Sequence, residues 1–143
     1  MTDDDLYQQA IMTLARAEVG AGGLAEADVS ATIDNPLCGD RVRIDLAVTG
    51  DVVVALAHKV RGCALCRASA SVIGARAVGE SEARLRAITV QVESMLREAG
   101  PAPAGAWSDL GAFHPVAAHR SRHDCVLLPF RALLEALGNR RED

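Results

Sequence analysis

Two adjacent runs with alternating side chains constrain the fold most. Val42, Ile44, Leu46 and Val48 alternate with polar or small residues, which is the pattern of a strand with one buried face. Residues 49–51, Thr-Gly-Asp, are typical of a tight turn, and residues 52–59 form a second run rich in valine. The sequence therefore predicts an antiparallel hairpin at the centre of a small sheet.

Helices are predicted on both sides of this hairpin. Apolar residues recur at helical spacing over residues 6–19, before a glycine cluster, and residues 29–33 indicate a short additional strand. Further helices are predicted from these signals: residues 64–78, a segment capped by Ser81, and residues 127–137, in which Pro129 fits only the first turn. Prolines and glycines predict a loop over residues 100–111. This order favours an α+β fold, with helices packed on one face of a small antiparallel sheet.

Composition limits the classes of function. The 143 residues suit one domain, residues 1–143, and 15 basic against 19 acidic residues give a net charge of −4. A negative charge argues against nucleic acid as the main partner. No apolar stretch reaches the ~18 residues that span a bilayer, and the acidic residues 1–5 do not resemble a signal peptide. We therefore expect a cytoplasmic protein with reduced thiols and no membrane partner.

Three of the four cysteines lie where predicted elements meet loops. Cys38 is in a Pro-Leu-Cys-Gly-Asp turn, Cys63 precedes a helix and Cys125 precedes the last helix, so their thiols can converge. Asp40 follows Cys38 across a single glycine, and three thiolates with one carboxylate complete a tetrahedral zinc site. Local sequence equally supports the alternative that these cysteines are small, buried apolar residues.

Two further groups of potential ligands give weaker signals. Cys63 and Cys66 form an isolated C-x-x-C, and a position one turn into a helix is more typical of packing than of ligation for Cys66. His114, His119 and His123 lie in a run that also contains arginines. We interpret that run as a solvated basic loop rather than as a set of metal ligands.

Three motifs resemble those of the IscU/SufU family of iron–sulfur cluster assembly proteins, which is similar to the N-terminal part of NifU. Residues 35–40, Asn-Pro-Leu-Cys-Gly-Asp, match the family pattern N-P-x-C-G-D, and residues 62–71 match G-C-x-x-x-x-A-S-A-S. A looser segment, R-x-x-C-x-x-L-x-aromatic, is matched by Arg122, Cys125, Leu128 and Phe130. The resemblance extends from the first predicted helix to residue 137.

The resemblance implies a three-stranded antiparallel sheet with flanking helices. It also implies a metal site whose ligands are Cys38, Asp40, Cys63 and Cys125. SufU is the nearer branch, because residues 100–118 resemble its longer segment before the third cysteine and Arg122 matches its arginine. IscU proteins carry a histidine directly before that cysteine and an L-P-P-V-K motif, whereas this chain has Asp124 there and lacks the motif.

By resemblance, we expect a zinc-dependent sulfur acceptor that works with a cysteine desulfurase. Cys38 would leave Zn²⁺ and take sulfur from the desulfurase persulfide, and Arg122 would hold the partner or the rearranged ligands. One alternative is a scaffold on which the same four residues hold iron or a transient [2Fe–2S] cluster, since thiolates suit either metal. A second alternative is a structural zinc module that docks onto a partner, with ligands that do not exchange.

Overall fold

A computed structural model describes the backbone of residues 3–37 and 39–142, and the side chains of residues 7–37 and 39–140. Helix α1 is followed by a three-stranded antiparallel sheet in the order β1-β2-β3, then by helices α2 and α3, two 3₁₀ segments and helix α4. The elements have these bounds: α1 Asp3–Ala17, β1 Val29–Asn35, β2 Asp40–Thr49, β3 Val52–Arg61, α2 Ala64–Arg76, α3 Glu82–Glu98, the 3₁₀ segments Gly105–Ala118 and Arg120–Arg122, and α4 His123–Glu142.

The predicted hairpin is confirmed as strands β2 and β3, which pair through registers such as Ile44 opposite His58. Val42, Ile44 and Leu46 are fully buried on the side of the sheet covered by helices α4 and α2. Strand β1 pairs with β2 along the other edge and extends two residues beyond the predicted strand. The α+β class, with helices on one face of a small antiparallel sheet, is therefore confirmed.

Helix α3 begins at the predicted cap, where the Oγ of Ser81 accepts a hydrogen bond from the backbone N–H of Arg84 at 3.1 Å. The apolar stripe behind it is buried, with Leu85, Ile88 and Val92 fully inaccessible. Within the described part of the chain, no helix is both long and apolar enough to cross a membrane.

The loop predicted over residues 100–111 is wrong from Gly105 onward, because Gly105–Ala118 is a 3₁₀ segment. Four apolar side chains spaced three residues apart are fully buried along it: Trp107, Leu110, Phe113 and Val116. A 3₁₀ helix has 3.0 residues per turn, so this spacing points one face of the segment into the core. The Trp107 ring lies 6.4 Å from that of Phe130 in α4, and its Nε1–H donates to Glu80 at 3.0 Å.

Helix α4 is longer than predicted, and the expected place of Pro129 is wrong. The helix begins at His123 rather than at Leu127, which puts Pro129 beyond the first turn. Proline there removes one backbone hydrogen bond from the helix. Continuous burial of Leu127, Leu128 and Phe130 along the same helix offsets that loss, because apolar burial contributes roughly 1.5–3 kcal/mol per side chain.

Candidate metal centre

Asp40 is a buried carboxylate at the first position of strand β2, where only 4% of the residue is exposed. It lies opposite Asn35, the last residue of β1, and so belongs to the end of the hairpin that joins the two strands. Its Oδ1 accepts a hydrogen bond from the backbone N–H of Cys63 at 3.3 Å, and its Oδ2 lies 3.6 Å from the Cys63 Sγ. The carboxylate is therefore aimed at the start of α2.

Cys63 is the N-cap of α2, with an extended backbone and an exposed side chain that makes no capping hydrogen bond. The first turn of α2 contains no acidic residue. The unpaired N–H groups and the dipole of a helix N-terminus stabilise negative charge. Cys63 thus offers its sulfur where an anionic ligand is favoured.

Cys125 completes a cluster of three from the first turn of α4, where it is 8% exposed. One ligand atom from each of Asp40, Cys63 and Cys125 lies within 4.8 Å of the other two. The three residues come from β2, the cap of α2 and α4, so the fold assembles the cluster from distant parts of the chain. Two sulfurs and one oxygen at this spacing can hold a single cation.

Gly62 makes the approach of Asp40 to Cys63 sterically possible. A Cβ built on Gly62 would lie 2.8 Å from the Asp40 Cγ and 2.9 Å from its Oδ1, closer than real side chains pack. The sequence motif singled out this glycine without giving its structural reason. Glycine commonly stands where another group must approach the backbone closely. The Gly-Cys pair before a helix was therefore the sequence signal for this close contact.

Cys38, the fourth predicted ligand, lies outside the described residues. The chain around it turns tightly, since the Asn35 carbonyl accepts from the Gly39 N–H at 2.8 Å and the Asn35 Oδ1 accepts from the Leu37 N–H at 3.1 Å. Gly39 has a φ of +74°, a conformation that suits glycine. The bend predicted at Gly39 is therefore present beside Asp40.

Arg122 lines a cleft of about 730 Å³ that Cys63 and Cys125 also line. Its guanidinium is exposed, and it makes no ion pair with a side chain that the structure describes. Helix α1 also lines this cleft. The remaining lining residues are Tyr7, Gln8, Ile11, Met12, Ala64, Leu65, Pro115, His119 and Ser121.

Tyr7 was missed by sequence reasoning, although it lines the same cleft as Arg122. Partial burial raises the pKa of Tyr7; the positive charge of Arg122 acts against that rise and negative charge on Cys63 adds to it. The phenol is therefore neutral at physiological pH and can donate a hydrogen bond into the cleft. In the sequence, only the position of Tyr7 beside Leu6 in a helical pattern could have pointed to a place in the cleft.

The interpretation of the histidine run as a solvated basic loop is wrong for His123, which is buried, and agrees with His114 and His119, which are exposed. His123 is 5% exposed, and its Nε2 lies 3.0 Å from the Val116 carbonyl oxygen and 3.2 Å from that of Ala117. The imidazole thereby ties the end of the long 3₁₀ segment to the start of α4. Cys66 is fully buried in the core, as its packing interpretation predicted, and lies outside the ligand cluster.

The fold and the cluster together define a class: a small α+β domain that gathers two cysteines and one aspartate from distant elements. The sequence profile of the NifU-like N-terminal domain matches residues 6–119, and the chain belongs to that family. The resemblance noted from the motifs is thereby confirmed.

Two characterised relatives carry names from iron–sulfur biology. The chain is 27% identical over 132 residues to the iron–sulfur cluster assembly scaffold protein IscU of Thermotoga maritima, covering 92% of each chain. It is also 27% identical over 130 residues to the zinc-dependent sulfurtransferase SufU of Bacillus subtilis, covering 91% of this chain and 88% of the relative.

Solved structures agree with the fold. A NifU-like protein (N-terminal) from Brucella abortus superposes with a TM-score of 0.93 at 37% identity, covering 98% of this chain and 97% of that one. A SUF-system scaffold protein from Fervidobacterium islandicum gives a TM-score of 0.84 at 24% identity, with 95% and 99% covered.

Proposed function

We propose that this protein is a zinc-dependent sulfur acceptor in cytoplasmic iron–sulfur cluster assembly and that a cysteine desulfurase is its donor. The observation that carries the proposal is the convergence of Asp40, Cys63 and Cys125 within 4.8 Å. Cys38 is the fourth ligand in this proposal, because only Gly39 separates it from Asp40. The name of the Bacillus subtilis relative supports zinc and sulfur transfer.

The donor set fits zinc. For ligands about 2.1 Å (oxygen) and about 2.3 Å (sulfur) from a tetrahedral zinc ion, the oxygen–sulfur separation is about 3.6 Å. The Asp40 Oδ2 and Cys63 Sγ are 3.6 Å apart. When bound, zinc would hold the thiols deprotonated and fix the three elements that carry them.

In the transfer step, the Cys38 thiolate attacks the outer sulfur of the persulfide on the partner's cysteine. A new sulfur–sulfur bond forms on Cys38 while the partner's sulfur–sulfur bond breaks, and the partner's cysteine leaves as a thiolate. The exchange moves one sulfur atom without net oxidation or reduction. With zinc bound, Asp40 would be the harder oxygen ligand among thiolates and would tune how readily the ligands exchange.

The cleft beside the metal centre suits the approach of the persulfide. Arg122 and Tyr7 stand at this cleft together with Cys63 and Cys125. The guanidinium of Arg122 has no ion-pair partner among the described side chains, and it can hold an anionic sulfur or a side chain of the partner, because charge-assisted hydrogen bonds are the strong ones. Arg122 therefore positions the incoming group in this proposal.

Sulfur acceptance by defined cysteine variants tests the proposal. The zinc-loaded protein is incubated with a cysteine desulfurase and free cysteine, and intact-mass spectrometry measures the addition of one sulfur atom. Wild type gains the sulfur and Cys38→Ala does not, while Cys66→Ala, a core substitution, still gains it. Equal acceptance by Cys38→Ala and wild type overturns the assignment. Equal protection of the three ligand cysteines from thiol-labelling reagents supports a structural zinc module instead.

A second candidate is a scaffold for a transient [2Fe–2S] cluster held by the same residues. The name of the Thermotoga maritima relative favours it, and thiolates bind iron–sulfur clusters as readily as zinc. Metal analysis of protein purified without added metal, followed by anaerobic reconstitution with iron and sulfide, separates the two. Stable visible absorbance from a cluster that displaces zinc supports the scaffold, and retained zinc with no cluster supports sulfur transfer.

A further inference from the structure

On the face of the sheet opposite helices α2 and α4, two positively charged residues of β2 each lie opposite a positively charged residue of β3. Arg41 lies directly opposite Arg61 in the β2–β3 register, and Arg43 lies directly opposite Lys59. All four side chains are exposed. We call these four residues the cation ladder. Like charges directly opposite one another in a sheet are destabilising, so this arrangement costs the fold stability.

Among the described side chains, acidic neighbours compensate the positive charge of two of the four ladder residues. Arg41 pairs with Asp34 at 3.3 Å, and Arg43 pairs with Asp45 at 2.9 Å. Among the side chains that the structure describes, neither Lys59 nor Arg61 has an ion-pair partner. The strand that reaches the metal centre therefore presents uncompensated positive charge on a protein whose net charge is −4.

The end of the ladder formed by Arg41 and Arg61 is exposed among the residues that the structure describes. Helices α2 and α4 pack on the opposite face of the sheet. The loop after α1 reaches this face at Asp45, where the Leu24 N–H donates to the Asp45 Oδ2 at 3.5 Å, and at Lys59, whose Nζ would lie 3.7 Å from a Cβ built on Gly23. Both contacts lie toward the Lys59 end of the ladder.

The position of the ladder links it to the metal centre. Arg41 directly follows Asp40, and Arg61 is separated from Cys63 only by Gly62. Leu37, in the hairpin that precedes Asp40, is 92% exposed. An exposed leucine beside a charged surface has the composition of a protein interface, an apolar anchor with a polar rim.

We propose that the cation ladder is a docking surface for an acidic segment of a protein partner, which it brings against the edge of the metal centre. Carboxylates two residues apart on an extended strand project to one side about 6.8 Å apart. Arg41 and Arg43 have the same two-residue spacing along β2, and Arg61 and Lys59 have it along β3. The overall negative charge opposes a nucleic acid in this role. The proposal holds for either metal, so it does not depend on the zinc assignment.

Nuclear magnetic resonance titration of the metal-loaded full chain tests this surface. The probe is a short peptide of alternating glutamate and aspartate, and a lysine peptide and a single-stranded oligonucleotide are the comparisons. The acidic peptide is expected to shift the backbone signals of the ladder residues and of Leu37, and the shifts are expected to vanish at high salt. Tighter binding of the oligonucleotide, or shifts confined to another part of the surface, overturns the proposal.

Charge-reversal variants provide the matched comparison. Lys59→Glu removes one like-charge pair and is expected to weaken peptide binding about three- to tenfold, whereas Arg16→Glu, an equal charge change at an exposed position in α1, leaves it within about twofold. Lys59→Glu is also expected to raise Tm by about 1–4 °C. Equal weakening by both variants, or a Tm that falls in Lys59→Glu, overturns the proposal, and unchanged metal content verifies that the centre is intact.

Discussion

The Oδ2 of Asp40 and the Sγ of Cys63 lie 3.6 Å apart, although 23 positions separate the two residues in the chain. Strands β2 and β3 run antiparallel, so Asp40, at the start of β2, and Cys63, two residues beyond the end of β3, meet at the same end of the sheet. The hairpin therefore builds half of the candidate centre by its topology alone. Cys125 joins from α4, and its position depends on packing between distant elements.

Gly62→Ala is expected to damage the centre through steric contact. The new Cβ would lie 2.8 Å from the Asp40 Cγ, so the carboxylate or the backbone must move. We expect a loss of about 1–3 kcal/mol in the free energy of unfolding, measured by urea denaturation. Zinc affinity, measured by chelator competition, should fall in the same variant.

Gly138→Ala is the control for that substitution. No described atom lies within 4 Å of a Cβ at Gly138, which is inside helix α4. Alanine is the better helix former, so this variant should gain about 0.5–1 kcal/mol and keep its zinc affinity. Wild-type zinc affinity in Gly62→Ala would contradict the close packing described for Asp40.

Asp40→Asn is expected to weaken metal retention with little change in fold. The amide has nearly the shape of the carboxylate and can still accept from the Cys63 N–H, but it lacks the negative charge that favours a zinc ligand. Removal of a residue that only hydrogen-bonds to a metal ligand lowers metal affinity by about 10–100-fold. Removal of the charge of a ligand itself should therefore lower the affinity by at least about tenfold. Chelator competition measures this loss, and Asp34→Asn, at an exposed carboxylate, should show none.

Arg122→Ala separates sulfur transfer from metal binding. Arg122 reaches the cleft but is not among the clustered ligands, so zinc content should stay at the wild-type value. Sulfur acceptance from a cysteine desulfurase should fall by at least about tenfold, because the positioning charge is lost. Arg120→Ala removes an exposed arginine from the same short 3₁₀ segment and is the control, with acceptance near wild type. Equal losses in both variants would show that only the general charge of the segment matters.

Much of the fold could be predicted from the local periodicity of apolar residues. The alternation at Val42, Ile44 and Leu46 identified a strand with one buried face, and Ser81 marked the start of α3 as it does in the structure. These signals involve neighbours along the chain, so they are visible without tertiary information. The 3₁₀ segment was not predicted, because the prolines and glycines of residues 100–111 indicated a loop, although the buried residues of the segment recur at every third position.

The candidate site could be predicted in its residue types but not in its geometry. The motifs named Asp40, Cys63 and Cys125, whereas the cleft beside them depends on how α1 packs against the ends of α2 and α4. The burial of His123 likewise depends on two carbonyls of another segment. A histidine between arginines has no local signal for such a contact, which is why its environment could not be predicted.

His58 is expected to make stability depend on pH. Burial lowers the pKa of His58 below its usual 6.5, against the opposing effects of the Val19 carbonyl and of Glu18. Its Nε2 lies 2.7 Å from that carbonyl, while its Nδ1 is buried without a hydrogen-bond partner among the described residues. Below pH 6.5 the unfolded chain binds a proton that the folded chain does not, until the folded pKa is reached. The free energy of unfolding should therefore fall as the pH decreases through this window.

The dependence of stability on pH is measured by urea denaturation with saturating zinc, at pH values above and below the window in which His58 titrates. Wild type should lose up to about 1.4 kcal/mol per pH unit from this one group. His58→Gln keeps an N–H that can donate to the Val19 carbonyl and cannot titrate, so its stability should depend less on pH than that of wild type. His114→Gln, at an exposed position, should keep the wild-type dependence. A His58→Gln profile parallel to that of wild type would mean that the pH dependence has another source.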